Sequence, residues 1–518
     1  MSGTRATLRR RAALIAAPSV VVLVLAAVAL GSLVQEIGCN QKAHYALVRA
    51  LADGTAIVDE YQPESCDLAY TDGHYYAAKA PGLAFAVLPI YLALDAAGAM
   101  PDDPRTAIWV LGLFGALVPA LLAAAIAGRL AERVAPATGA FVAAALALGT
   151  LLLPFGTLLF AHALAAALAL GAFALLWRDR PAPATAALAG LLVGLAVVVE
   201  HPAALVAPVL GAYALSRFGA RRAGAFAGGA AAGVLPLLAY NYWAFGSVTH
   251  FAVVDAISVA GNTGHDVVGG HDRGVFGALA PSTTVALELL ASARGLLTVT
   301  PVVAAGVAGL VLLARRGFRA EAFAVAAVAG LYLLWNSGLT SPFGGPFGGD
   351  SPGARYLVPV LPFLAPGIAL ALREAFWPTA LLAALSAVFV GLATATEPML
   401  NGVDTGRWWE LASKGEFTGG VVTLLGGPSG VWAVLPFFAG VAAAAGVAAV
   451  ATPRSGTTRG ALIAAAGVVA AWVVVASAAP PLLERGRTLA ALAVLLAGAA
   501  AAYVAVRGPV AAREDAAA

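Results

Sequence analysis

Apolar runs of about 17 to 23 residues recur along almost the whole of this 518-residue chain, each long enough to cross a hydrocarbon core of roughly 30 Å as a helix. About fourteen such runs can be counted: Ala12 to Val34, then near 107–127, 137–153, 159–177, 184–199, 203–216, 223–243, 291–313, 320–336, 356–372, 377–396, 429–450, 460–479 and 488–506. A soluble core cannot hide that much apolar surface. Charged residues make up only 11% of the chain against roughly 25% in an average soluble protein, and 61% of the residues are hydrophobic. The solvent is therefore lipid, and the fold class expected is an all-α polytopic membrane protein with about 13–14 spans. A net charge of +3 from nearly balanced signs argues for neither a nucleic-acid partner nor a polybasic anchor, and no nucleic-acid partner is expected.

The first run follows Arg5, Arg9, Arg10 and Arg11 and is too long for a signal-peptide core, so it reads as a retained helix with a cytoplasmic start. Alternating the ends from there puts 19 of the 30 basic residues inside, in eight consecutive inside segments, as the positive-inside rule requires. The register holds only if Gly82 to Met100 does not cross. Pro89 and Asp95 make it a poor span, and it is expected to lie in the outer leaflet. All seven histidines, all three lysines and both cysteines then fall at the outer face. The chain divides accordingly into a cytoplasmic start with its first helix (1–34), a first outer loop with interfacial helices (35–106), a membrane core (107–396) with outer loops 244–290 and 337–355, and a C-terminal outer loop with the last helices (397–518).

The first outer loop is rich in acids and holds both cysteines. Cys39 and Cys66 sit on the oxidising side and are expected to form a disulfide. Asn40-Gln-Lys-Ala-His44-Tyr-Ala-Leu-Val-Arg49 and Gly73-His74-Tyr75-Tyr76-Ala-Ala-Lys79-Ala-Pro81 resemble the first periplasmic loop of GT-C membrane glycosyltransferases, nearest the protein mannosyltransferase and aminoarabinose transferase branch. Ala161-His162-Ala163 and Gly353-Ala-Arg355-Tyr356-Leu-Val-Pro359 are similar to further pieces of that superfamily. The branch's acidic pair falls on Gln41 and Lys42 here.

The resemblance implies transfer of a sugar from a polyprenyl-phosphate donor to a glycan, lipid or protein acceptor of the cell envelope, outside a bacterial cytoplasmic membrane. Such chemistry needs a carboxylate to take the acceptor's proton and cations to hold the departing phosphate. Asp59 and Asp67 are the first candidates for the base, followed by Asp72 and Glu36. Lys79 and Arg355, at the outer starts of apolar helices, are the leading phosphate ligands, with Arg294 third. His74, Tyr75, Tyr76, His162, Glu200 and His201 complete the binding candidates; ionisable groups beside apolar helices are costly and point to function. His250, Asp255, His265, Asp266, His271 and Asp272 are of the type that binds a divalent cation, but no pair has firm zinc spacing, so no metal or other cofactor is assigned.

Two other classes fit the composition: a transporter or flippase of a lipid-linked envelope precursor, and a catalytically inactive GT-C-like subunit. A transporter is expected to carry charges at mid-membrane on broken helices in matching repeats. The ionisable groups here bunch at one face instead.

Overall fold

A computed structural model describes residues 18–65, 67–257, 277–339, 345–399, 405–454 and 456–514. The chain opens with α1 (Pro18–Gly31), β1 (Leu33–Val34), α2 (Cys39–Ala52), the hairpin β2 (Leu68–Thr71) and β3 (His74–Ala77), and α3 (Gly82–Ala96). Then follow α4 (Pro104–Val134), α5 (Gly139–Gly149), α6 (Leu152–Thr157), α7 (His162–Leu176), α8 (Pro183–Val199), α9 (Val206–Phe218), α10 (Ala220–Phe245) and β4 (Ala256–Ile257). The second half holds α11 (Thr283–Val299), α12 (Val302–Arg315), α13 (Arg319–Ser337), α14 (Arg355–Glu374), α15 (Phe376–Ala395), α16 (Gly406–Ser413), β5 (Gly419–Gly420), α17 (Val431–Ala451), α18 (Arg459–Glu484) and α19 (Thr488–Glu514).

The protein is an all-α, multi-pass membrane protein. Among the described residues, eight helices (α4, α10, α13, α14, α15, α17, α18 and α19) are long and apolar enough to cross a membrane, and α11 with α12 makes a ninth if a pair bent by 94° is one span. Helices α1, α3, α5, α7 and α8 are apolar but shorter. The count differs from the fourteen expected because several apolar runs are not single helices. The run at 137–153 breaks at Thr150, whose backbone is extended and whose hydroxyl folds back on Leu146 O at 2.6 Å. The run at 291–313 breaks before Pro301, which cannot continue a helix hydrogen-bond ladder. Helix α3 has 15 residues and so spans about 22 Å, with Pro89 inside it and only Gly82, Leu83, Ala84 and Val87 buried.

In lipid, helices associate through close packing of small residues rather than through exclusion of water. The tightest pair is α8 with α10. A Cβ built on Gly190 would lie 1.9 Å from Phe226 O, and one on Gly229 would lie 1.9 Å from Ala187 O, so the two backbones touch at positions where only glycine fits.

The long loops are tied together at one end of the bundle. Strand β2 pairs antiparallel with β3 and also with β4, which docks the segment after α10 onto the first loop (Leu68↔Ile257, Ala69↔Ala256). Strands β1 and β5 pair, joining the end of α1 to the loop before α17. A bridge between Ala278 and Leu339 brings in the loop after α13.

Candidate active site

The hairpin is built by local chemistry. Asp72 and Gly73 both have left-handed backbones (φ 50° and 86°), the conformation of a two-residue type I′ turn that Asp-Gly favours. Asp67, just before β2, is also left-handed (φ 62°), and its carbonyl accepts from Ala78 N at 2.9 Å. This fold-back sets its carboxylate against the lysine that leaves the hairpin: Lys79 Nζ to Asp67 Oδ2 is 2.8 Å, with both side chains largely buried. Burial works against the charge on Asp67, but Lys79 outweighs it, with Arg355 adding to the effect, and the carboxyl is held below its ordinary value.

His44 comes from the buried face of α2 and is 2% exposed. Burial, then the charge of Lys79, pushes its imidazole down to about 3 against the opposing pull of Asp67. It is therefore neutral, a hydrogen-bonding group rather than a cation.

Arg355 arrives from the other half of the chain. It starts α14, whose first ten residues, Arg355–Leu364, are wound as a 3-10 helix containing Pro359 and Pro362. Its guanidinium lies 5.5 Å from the Phe160 ring and 5.3 Å from the Tyr356 ring, and the residue is 8% exposed. Gly348 makes room for it: a Cβ there would sit 2.4 Å from Arg355 Nε, and its backbone is left-handed (φ 77°).

His162 opens α7 and Glu200 ends α8, where the following His201-Pro202 turns the chain. His162 Nδ1 is 3.0 Å from both Glu200 oxygens, and both residues are buried. That contact places the proton on Nδ1 and leaves Nε2 as a free acceptor. The His162 ring packs edge-on against Phe155 (5.0 Å) and Tyr356 (6.0 Å). Among the described residues, His44 Nδ1, His162 Nε2 and Arg355 Nε are buried with no hydrogen-bond partner. An unmet buried polar group costs roughly 1–3 kcal/mol, so these three nitrogens are suited to pairing with a polar ligand.

The other sequence candidates have different places. Asp59 is used by the hairpin: it accepts from Tyr75 N at 2.6 Å and pairs with His74 Nδ1 at 2.7 Å on an exposed edge. Asp72 sits at the exposed turn tip. Glu36 is mostly exposed and pairs with Arg105 at 2.7 Å, while Arg105 also donates to the carbonyls of Val34 and Gln35. Arg294 donates to Ser351 O at 3.1 Å and lies over Phe347 (4.9 Å), so it holds the loop leading to Arg355. The Tyr76 ring packs tilted against Phe245 (4.8 Å) and the His201 ring edge-on against Phe251 (5.0 Å), both against the second long loop. His250 pairs with Asp255 at 2.6 Å. Cys66, His265, Asp266, His271 and Asp272 lie outside the described residues, so the expected disulfide and most of the cation-type ligands fall there. Among the described residues no group of three or more His, Cys, Asp or Glu side chains is placed to hold a metal. His44 and Tyr356, both inside motifs read from the sequence, were not singled out there, although a histidine one turn into an apolar helix face was a visible signal.

Fold and site together define a polytopic helical membrane protein with a buried ionic cluster at its loop-bearing end. No family model matches the sequence, and no curated protein matches it. Among solved structures the chain is similar to ArnT from Cupriavidus metallidurans in the apo state, with 17% identity over 97% of this chain and 77% of that one and a TM-score of 0.45. The same protein bound to undecaprenyl phosphate matches with 13% identity over 96% of this chain and 76% of that one, again at a TM-score of 0.45. AglB, an oligosaccharyltransferase from Archaeoglobus fulgidus in complex with an inhibitory peptide and a dolichol-phosphate, matches with 13% identity over 87% of this chain and 57% of that one, at a TM-score of 0.41. Likenesses this distant leave the chemistry to be derived from the side chains themselves.

Proposed function

We propose that this protein is a GT-C-like membrane glycosyltransferase that moves a sugar from a polyprenyl-phosphate donor to an acceptor hydroxyl of the cell envelope, on the outer side of a bacterial cytoplasmic membrane with the N-terminus inside. The observation that carries this reading is the buried Lys79–Asp67 ion pair, with the charge of Arg355 reaching the same carboxylate and His162 packed on Tyr356 beside that arginine, together with the unmet buried nitrogens of His44, His162 and Arg355. Two cations of different geometry suit a phosphate: lysine as a point charge, arginine as a planar fork. The arginine-rich loops assigned to the opposite side support the orientation.

In the proposed reaction the acceptor oxygen attacks the anomeric carbon, the bond from that carbon to the lipid-phosphate oxygen breaks, and the electron pair leaves with the phosphate. Lys79 and Arg355 stabilise that developing charge. The acceptor's proton passes to Asp67, the base. In the unliganded chain Lys79 suppresses the basicity of Asp67. A donor phosphate competing for Lys79 relieves that suppression, so donor binding itself prepares the base.

The test uses the full chain in nanodiscs with undecaprenyl phosphate as probe, followed by native mass spectrometry. Wild type is expected to retain the lipid, and Lys79→Ala and Arg355→Ala each to weaken binding at least tenfold. Unchanged binding in both variants would overturn the assignment.

A further inference from the structure

The phosphate-binding cluster does not account for all the unmet polarity in this part of the bundle. On α13, Tyr332 and Asn336 are both 0% exposed and stand one helical turn apart, on one face. Among the described residues the Tyr332 hydroxyl and both amide atoms of Asn336 have no hydrogen-bond partner. A helical bundle in lipid has no bulk water to satisfy such groups, and natural membrane helices keep them where they meet a partner. Their position is not random with respect to the proposed site. Tyr332 lies within electrostatic reach of Glu200, the residue that orients His162. Trp335, between Tyr332 and Asn336 in sequence, packs on Tyr356 at 5.6 Å, and Tyr356 in turn packs on His162 at 6.0 Å. Tyr356 is the chain neighbour of Arg355, so the unmet groups on α13 begin where the phosphate ligands end.

We infer that Tyr332 and Asn336 form the pocket for the donor's sugar ring, and that the ring is uncharged and rich in hydroxyls. The inference rests on the glycosyltransferase reading above. A carboxamide offers two donors and a two-lone-pair acceptor, and a phenol adds one donor and an acceptor, a set that matches neighbouring hydroxyls on a ring. Glu200, whose charge reaches Tyr332, has both oxygens within 3.0 Å of His162 Nδ1, which leaves neutral groups to meet the sugar. A site built to hydrogen-bond hydroxyls discriminates strongly against ligands that lack them, because its own groups are then left unpaired.

Binding to the full chain in nanodiscs is compared for undecaprenyl phosphate and for undecaprenyl phosphate carrying mannose, glucose or arabinose. For wild type, at least one sugar-bearing lipid is expected to bind about tenfold more tightly than the bare lipid phosphate. Tyr332→Phe, which removes a single oxygen, and Asn336→Leu are each expected to erase most of that difference while leaving the bare lipid's affinity unchanged, which also shows the variants are folded. No gain from any of the three sugars, or a gain that survives both substitutions because the pocket holds only water, would overturn the inference. Failure of the phosphate assignment reads out separately, as bare-lipid binding indifferent to Lys79→Ala.

Discussion

Helix α14 and helix α19 are both apolar runs of spanning length, and they end in opposite surroundings. Of the most apolar stretch of α14, 94% is buried inside the protein; for α19 (Thr488–Val506) the figure is 11%. Helix α14 begins with Arg355, winds as a 3-10 helix through two prolines and packs among other helices on all sides. Helix α19 runs on Ala, Val and Leu and leaves Leu489, Leu496 and Val504 exposed. Apolarity does not separate them, because lipid accepts either. What separates them is the buried arginine that opens α14 and the backbone approach at Gly367, where a Cβ would lie 2.1 Å from Gly306 O; α19 is the richer of the two in alanine and still faces lipid.

That contrast can be broken at its strong end first. Lys79→Ala and Arg355→Ala should lower sugar transfer in membranes more than a hundredfold at unchanged protein level, and Asp67→Asn should do the same while lipid binding persists. Full transfer by all three would place the chemistry elsewhere. Gly190→Leu should cost several kcal/mol, because the side chain would displace the α10 backbone (an effect on the order of 2–4 kcal/mol for overpacked interior sites); a fall in the temperature at which the detergent-solubilised protein aggregates measures it.

A middle-sized effect is expected at Gly348. Gly348→Val presses on Arg355 and Tyr356 and forces a β-branched residue into a left-handed backbone, so transfer should drop roughly tenfold and the melting temperature should fall with it. The pH dependence sharpens the role of Lys79. Asp67 titrates in the folded chain below its ordinary value of 3.8, so the stability the pair contributes is fully present above about 3.8 and is lost as pH falls through the lower folded value. Lys79→Ala should remove that acid-side slope, followed by thermal unfolding across the pH range. Smallest of all, Leu496→Ala on the lipid-facing side of α19 should change stability by less than about 0.5 kcal/mol and transfer not at all.

Much of the candidate site was visible in the sequence as scarce ionisable groups. Lys79, Arg355, His162 and Glu200 stand out as ionisable groups beside apolar helices, and the structure gathers all four at one end. Which carboxylate meets Lys79 was not legible. Asp59 and Asp67 lie eight residues apart in the same acidic loop, and what separates them is a left-handed backbone at Asp67 and the fold of a hairpin that claims Asp59 for itself. Tyr332 and Asn336 were passed over because a tyrosine and an asparagine on a long apolar helix look like ordinary interface residues until their surroundings are known.

The sequence by itself determined that this chain lives in lipid and that most of its length is apolar helix, because apolar length is read locally along the chain. Only the tertiary structure decided that β4 docks on β2, that α14 is central while α19 faces lipid, and that Asp67 pairs with Lys79. Those outcomes depend on backbone approach and on pairings between residues up to hundreds of positions apart, and in a membrane no period of apolar residues records them.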